Sequence, residues 1–456
     1  MQPSEFAHRV LVSLARQIRE GEGQAPKRDK VIDRIMKDSG ITEKDEQYQF
    51  WRERLNKRLS LLMDEDKGES MLLVQLIEGA CDDCLDMQPC ADVCPTGAIN
   101  KDEKGNFSIN PDRCVECTWC VNSCITGSIV TRSEFAQVAS MIMQRKEHPV
   151  YAILAPSFVG QFGNRVTPEI IKGALKAIGF TDVYEVALAA DVITEHEAEI
   201  FVNRRQQGEN FMITSCCCPA FIKLVEKIRP KVANLLSPSV SPMIALGKML
   251  KNREPQCRVV FIGPCIAKKS EAKRPDLHPA IDCVLTFKET KALLEAGDVP
   301  LDGSLGELEM EDASHDGRIY AHTGGVTEAI KRAVKRLAPE YEIKAVQGNG
   351  LKECNMYLKQ LEQGKLDANF MEGMGCPGGC VGGPGTIISV EKAASLVNEH
   401  AQQAKTFAAI DNHKAHVWND NYGETSDLHS KHLNMSGQIY STQNPPQPMS
   451  RGETSP

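Results

Sequence analysis

The sequence predicts an α/β protein with a helical N-terminal segment and a small, cysteine-dense α+β segment ahead of the main α/β part. Three observations predict it. After residue 150, apolar β-rich runs alternate with helical patterns, as in sheets whose strands are joined by helices. Between Cys81 and Cys124, eight cysteines crowd into turn-rich sequence. Before residue 70, apolar residues recur at helical spacing.

Composition limits the function classes. A chain of 456 residues suits about two to four domains of roughly 100–200 residues each. A hydrophobic share of 41% and a charged share of 25% are ordinary for a soluble protein. A net charge of −8 argues against nucleic acid or an anionic membrane as the main partner. No apolar run reaches the roughly 20 residues of a membrane helix. The start, MQPSEFAHRV, lacks the pattern of a secretory signal, so a cytoplasmic location is expected. Thiols stay reduced there, and 17 is an odd number, so the cysteines point to metal ligation or catalysis rather than disulfides.

The elements follow in order. In residues 1–70, Phe6, Val10, Leu11, Leu14 and Ile18 lie on one helical face behind a Ser4 cap. A second stretch carries Phe50, Trp51, Leu55, Leu59 and Leu62. GEGQAPKRDK between them reads as a linker. This segment carries no chemistry and is expected to pack or dock. Residues 71–135 form the cysteine-dense domain, 136–407 the α/β domain, and 408–456 a polar, mobile tail that ends near Asn-Pro-Pro-Gln-Pro.

The cysteine-dense domain has two related halves: C-D-D-C-L-D-M-Q-P-C-A-D-V-C-P from Cys81 and C-V-E-C-T-W-C-V-N-S-C-I from Cys114. Bacterial ferredoxins use C-x2-C-x2-C-x3-C-P, with the fourth Cys of each run serving the other cluster. The second half has that spacing, with Ile125 in place of Pro; the first carries three extra residues. Each half ends in T-G-[AS]-I, which fits a short strand after the ligand turn. The reading assigns Cys81, Cys84, Cys90 and Cys124 to one [4Fe–4S] cluster, and Cys94, Cys114, Cys117 and Cys120 to the other. Structural zinc is the competing use of such cysteines, but zinc knuckles do not repeat this run with crossed closure. Two clusters in one small domain make a one-electron wire.

In the α/β domain eight strands are expected: YAILAPS, FTDVYEVA, FMITSCC, RVVFIGPC, IDCVLTFKE, RIYAHTGG, YEIKAVQGN and ANFMEGMGC. One helix has clear ends, with Thr167 as cap, Pro168 at its first position and Gly179 past its last turn. Ligands bind off the carboxyl ends of strands in such sheets. There lie Pro156-Ser157, Cys216–Cys218, Cys265, and Cys376 with Cys380 in a Gly-rich loop. Cys257, Cys283 and Cys354 read as small core residues.

Three loops then carry a resemblance. T-S-C-C-C-P-A-F (214–221), P-C-I-A-K-K-S-E (264–271) and E-G-M-G-C-P-G-G-C-V-G-G (372–383) resemble the signature loops of the iron-only, or [FeFe], hydrogenases. The resemblance covers roughly residues 75–400. It implies a catalytic domain of two lobes of mixed sheet with flanking helices, beside a ferredoxin-like domain with two [4Fe–4S] clusters. It implies an H-cluster, a [4Fe–4S] cubane bridged to a di-iron unit with CO, cyanide and a dithiolate. The cubane ligands would be Cys265, Cys376, Cys380 and one of Cys216–Cys218, with Cys380 bridging. Lys268 and Ser157 would serve the cyanides, and Met374 would pack on the di-iron unit.

The family's first loop has two cysteines, a proton relay and then a ligand; this chain has three. Anchoring on Pro219, expected to begin the next helix and fix its register, is preferred and makes Cys218 the ligand and Cys217 the relay; anchoring on Thr214-Ser215 shifts both by one. Gly263 before Pro264, and G-G-P-G in the third loop, resemble the subgroup called group B more than group A. The resemblance further places Glu197, Ser237 and Arg204 on a proton path, with a second carboxylate at Glu199 or Ile200. Without it, E-H-E-A-E would read as a solvated helix face.

The function implied is reversible H₂ formation and cleavage, with electrons exchanged with a ferredoxin or similar one-electron carrier, after assembly by hydrogenase maturation proteins. A non-catalytic iron–sulfur scaffold or assembly factor needs only the four cubane ligands, so Lys268, Ser157 and the paired thiols favour the enzyme. A H₂ sensor would carry an added sensory module, for which the sequence before the clusters leaves little room.

Overall fold

The computed structural model describes residues 3–63, 72–77, 84, 89–103, 107–214, 217–306, 308–310 and 313–430. The strands are β1 (Val74–Leu76), β2 (Ile99–Lys101), β3 (Phe107–Ile109), β4 (Ile129–Thr131), β5 (Val150–Leu154), β6 (Asp182–Glu185), β7 (Met212–Ile213), β8 (Arg258–Gly263), β9 (Cys283–Thr286), β10 (Ala345–Asn349) and β11 (Phe370–Met374).

Two parallel sheets frame the α/β part. One has the order β6-β5-β8-β9, the other β10-β11-β7. Mixed sheets were the expectation; every described pairing here is parallel. The reason lies in the connections, since the helix Pro168–Ile178 between β5 and β6 and the helix Lys268–Ala272 between β8 and β9 return the chain to the same end of the sheet. All five residues of β5 are buried, as a strand covered on both faces requires.

Seven of the eight expected strands form. The exception is RIYAHTGG, which folds as the helix His315–Arg318 followed by a 3-10 turn, Ile319–Ala321. Ser314 caps that helix by accepting from the Gly317 amide at 3.1 Å. Arg318, Ile319, Tyr320 and Ala321 are buried in succession, so no alternating face exists to build a half-covered strand.

The N-terminal segment holds three helices, Pro3–Glu20, Arg28–Asp38 and Tyr48–Met63. The middle one begins inside the expected linker, which shrinks to residues 21–27. The first already includes Pro3, so Ser4 lies within its opening turn rather than before it. Leu14, Ile18, Val31, Leu55 and Leu59 join the core of the four-stranded sheet. Arg19 anchors this contact by donating to the Ala296 carbonyl at 2.9 Å.

The chain after 408, expected as a mobile tail, carries a 3-10 turn Ala409–Asp411 and a helix His413–Tyr422. Trp418 packs edge-on to Tyr184, with Arg253 over its ring. Leu428 to Ser430 then run beside the 238–240 segment: the Val240 amide donates to the Leu428 carbonyl at 2.8 Å, and the Ser430 amide to the Pro238 carbonyl at 2.6 Å. No described helix is long and apolar enough to cross a membrane.

Candidate metal centre

The cysteine-dense segment repeats one turn twice. After Cys94, the Ala98 amide donates to its sulfur at 3.2 Å; after Cys124, the Ser128 amide does the same at 3.2 Å. Gly97 and Gly127 take the left-handed conformation at φ 60° and 66° that these turns need. The short strands β2 and β4 follow, as T-G-[AS]-I suggested. Cys94 lies within electrostatic reach of Cys114, Cys117 and Cys120, while Cys90 feels Cys124 and Cys84. Burial, then the neighbouring thiols, pushes Cys117 and Cys120 up to about 12. Cys81 lies outside the described residues.

The helix Pro219–Ile228 fastens this segment to the α/β part. Lys223 pairs with the buried Glu116 carboxylate, which also accepts from the Leu73 amide at 2.9 Å. Lys227 donates to the carbonyls of Pro111 and Cys114 at 2.8 and 3.0 Å. The same helix begins directly after Cys218, which serves as its cap residue, with Pro219 first as expected.

Four cysteines meet at the strand ends. Cys218 follows β7, Cys265 follows β8, and Cys376 and Cys380 follow β11. Cys376 and Cys380 each feel Cys265 and Cys218. Burial pushes Cys265 and Cys380 up to about 12, and Cys376 and Cys218 also upward. All four nevertheless keep some accessible surface. The Gly375 amide donates to the Cys218 sulfur at 3.2 Å. Burial thus disfavours the four as free thiolates, whereas iron would neutralise their charge as ligands. Among the described residues no three His, Cys, Asp or Glu side chains converge to hold a single ion. A cluster makes no such demand, because each thiolate takes a separate iron. Cys376 also feels Cys117, and the Trp119 ring nitrogen donates to the Gly375 carbonyl at 3.5 Å. Cys216 lies outside the described residues.

Glycines let the third loop fold inward. Gly379 sits at φ 90°, where a Cβ would stand 2.6 Å from the Thr323 amide nitrogen. Glu372, in β11, accepts from the Gly324 and Thr327 amides at 2.8 Å each, at the start of the helix Gly325–Leu337.

Two buried polar side chains follow the neighbouring strands β5 and β8. Ser157, on the 3-10 turn after β5, is 0% exposed and its hydroxyl is unsatisfied. Lys268, after β8, is 6% exposed. Its ammonium forms an ion pair with Glu271 Oε2 at 2.6 Å, a partner for one of its three donors. Burial would lower its pKa; the Glu271 carboxylate and the thiols of Cys265 and Cys217 outweigh that and hold it above the ordinary value. Cys217 is thereby placed near Lys268. Orphaned buried donors such as the Ser157 hydroxyl are rare and call for a group that accepts from them. Met374 closes β11 and is buried.

The helix Ala187–Gln206 carries the expected proton residues, and it is largely buried rather than solvated. Glu197 is 0% exposed. Thr214 donates to its Oε2 at 2.7 Å, and Ser237 donates to its Oε1. Burial raises its pKa, and the hydroxyls of Ser237, Ser239 and Thr214 pull partly the other way. Arg204 donates to the carbonyls of Leu235 and Leu236 at 2.9 Å each and lies 3.6 Å from Glu209. The second carboxylate is not found beside Glu197. Ile200, three residues on and on the same face, is apolar and 4% exposed. Glu199, two residues on, projects from the opposite side.

Sequence reasoning did not identify Thr214, Ser239, Glu271 or Trp119. Glu271 stands three residues after Lys268, a spacing that faces it on a helix and could have signalled the pair. Cys257, Cys283 and Cys354 are buried, as core residues should be.

Residues 148–384 match the family model described as iron only hydrogenase large subunit, C-terminal domain. Iron hydrogenase 1 of Clostridium pasteurianum is 29% identical over 303 residues, covering 56% of this chain and 52% of that protein. The chain thus spans about half the length of that relative. The cytosolic Fe-S cluster assembly factor narfl of Xenopus tropicalis is 24% identical over 356 residues, 64% of this chain and 74% of the relative. A solved [FeFe]-hydrogenase of Chlamydomonas reinhardtii shares the fold, with a TM-score of 0.53 and 22% identity over 64% of this chain and 95% of that one.

Proposed function

Because the chain belongs to the iron-only hydrogenase large subunit family, whose members carry iron–sulfur clusters, we propose that it is an [FeFe]-hydrogenase interconverting H₂ with protons and electrons. One observation carries this reading beyond the family: after the neighbouring strands β5 and β8 come Ser157, buried without an acceptor, and Lys268, buried with Glu271 as its ion-pair partner. A cubane needs only thiolates. A buried hydroxyl without an acceptor and a buried ammonium with donors beyond its one carboxylate suit the anionic ligands of a di-iron unit.

In this reading Cys218, Cys265, Cys376 and Cys380 hold the cubane. The H-cluster, when bound, supplies the making and breaking of the H–H bond. Lys268 offers a compact charge with three donors to a cyanide, and Ser157 a hydroxyl to the other. Met374 packs against the di-iron unit. Cys217, near Lys268, passes a proton between the centre and Glu197. Burial favours the protonated form of Glu197, so it can hold a proton without a counter-charge.

Cys94, Cys114, Cys117 and Cys120 hold the nearer of two [4Fe–4S] clusters, supported by the coupling of Cys117 to Cys376. Cys81, Cys84, Cys90 and Cys124 hold the farther one, where a ferredoxin-like carrier exchanges electrons. Hydrogenase maturation proteins deliver the di-iron unit. The departures at Gly263 and in G-G-P-G keep the chain nearer group B.

The comparable identity to a named assembly factor supports a second reading, an iron–sulfur protein without turnover. Serine replacements separate the two. In the matured protein, Cys217→Ser keeps the iron–sulfur absorbance and loses H₂ evolution from reduced viologen, while Cys218→Ser loses cluster iron. A parent chain that binds iron but makes no H₂ after maturation supports the second reading instead.

A further inference from the structure

Three residues after Glu197 the helix presents Ile200, which can neither accept nor donate a proton. Arg204, seven residues on, has its guanidinium on two carbonyls and near Glu209, and a guanidinium does not give up a proton near neutrality. The helix therefore offers no continuous route from Glu197 to solvent. Another route is built beside it. Ser237, which donates to Glu197, stands 3.1 Å from the Ser239 hydroxyl. Ser239 is only 1% exposed, yet it lines a cleft of about 210 Å³ between the helix Pro219–Ile228 and the 239–241 segment. Ile222, Glu226, Ser241 and Ser430 share its wall. That volume holds several waters at roughly 30 Å³ each, and serines and a carboxylate give them partners.

We propose that protons leave Glu197 through Ser237 and Ser239 into this cleft, rather than along the helix to Arg204. The step balances as a relay. The Glu197 carboxyl gives its proton to Ser237 Oγ, Ser237 gives its own to Ser239 Oγ, and Ser239 gives its own to a cleft water. Each hydroxyl gains one proton and loses one; Glu197 becomes a carboxylate and the water a hydronium that passes to buffer. Rotation of the two hydroxyls restores the observed direction, in which Ser237 donates to Glu197. The inference rests on the proposed function only in making Glu197 the internal proton site.

The test needs no di-iron unit. In the isolated iron–sulfur protein, the carbonyl stretch of the protonated Glu197 carboxyl is followed by infrared spectroscopy after transfer to D₂O, with Glu197→Gln identifying the band. Ser239→Val and Ser239→Thr have nearly the same shape and differ in the hydroxyl. The expected result is exchange slowed by about 10-fold or more in Ser239→Val and largely recovered in Ser239→Thr. Ile222→Trp, which fills the cleft, also slows it. Exchange at the parent rate in both Ser239→Val and Ile222→Trp overturns the proposal. Slowed exchange in a chain that makes no H₂ after maturation upholds this exit and removes the hydrogenase reading. Unchanged exchange in a chain that makes H₂ does the reverse.

Discussion

At Gly373 the fold admits only a hydrogen: a Cβ there would lie 2.2 Å from the Phe221 ring. Phe221 is fully buried in the helix that begins after Cys218, while Gly373 belongs to the strand that leads to Cys376. Gly373→Ala must therefore push two cysteine-bearing elements apart. The expected cost is about 1–3 kcal/mol, the usual range for overpacking a core. Thermal melting shows it as a lowered midpoint, and iron analysis as a lower cluster content. An unchanged melt contradicts the packing argument. At this scale the motifs made Ser157, Lys268, Cys265, Cys376 and Cys380 legible, because short spacing fixes them next to one another or to a strand end. Thr214 and Ser239 were not legible. Their roles come from standing against Glu197, a contact that only the packing of three separate segments creates.

Among elements, the expected strand at 318–325 shows where local pattern loses to burial. Arg318 there is locked to the fully buried Glu185 at 2.8 Å and also donates to the His400 carbonyl at 3.1 Å. An arginine with these partners fixes a helix end, not an alternating strand. Burial raises the Glu185 pKa, but His400 and Arg318 outweigh it and hold the carboxyl below its ordinary value. A depressed folded pKa gives stability that is present above the unfolded value and lost as pH falls through the folded one. Arg318→Met leaves the carboxylate buried without its ion pair, at an expected cost of about 3–5 kcal/mol near neutral pH. Denaturant unfolding across a pH series checks this: the variant is weaker at neutrality and lacks the parent's loss of stability on the acid side. Equal stability at neutral pH would show that the pair adds nothing. The other seven strands were legible because each is a short apolar run bounded by Gly, Pro or polar residues.

Over the whole molecule, two groups of described cysteines come within reach of each other. One group couples through Cys117 to Cys376, and that residue belongs to the group at the ends of the parallel strands. The strand–helix order and the cysteine spacing carried this layout in the sequence. The docking of the N-terminal helices onto the four-stranded sheet did not show there, because an amphipathic helix does not name the surface it covers. Nor did the structure after 408, since polar residues such as Asn412 acquire their role only on meeting Asp191, to which Asn412 donates at 2.6 Å. The central claim is that the Ser157 hydroxyl and the Lys268 ammonium face a di-iron unit. An infrared spectrum of the chain after maturation with the di-iron cofactor tests it most directly. The account predicts CO and cyanide bands, with the cyanide bands moved in Lys268→Gln and, separately, in Ser157→Ala. A matured chain with its iron–sulfur clusters in place and no such bands would contradict it.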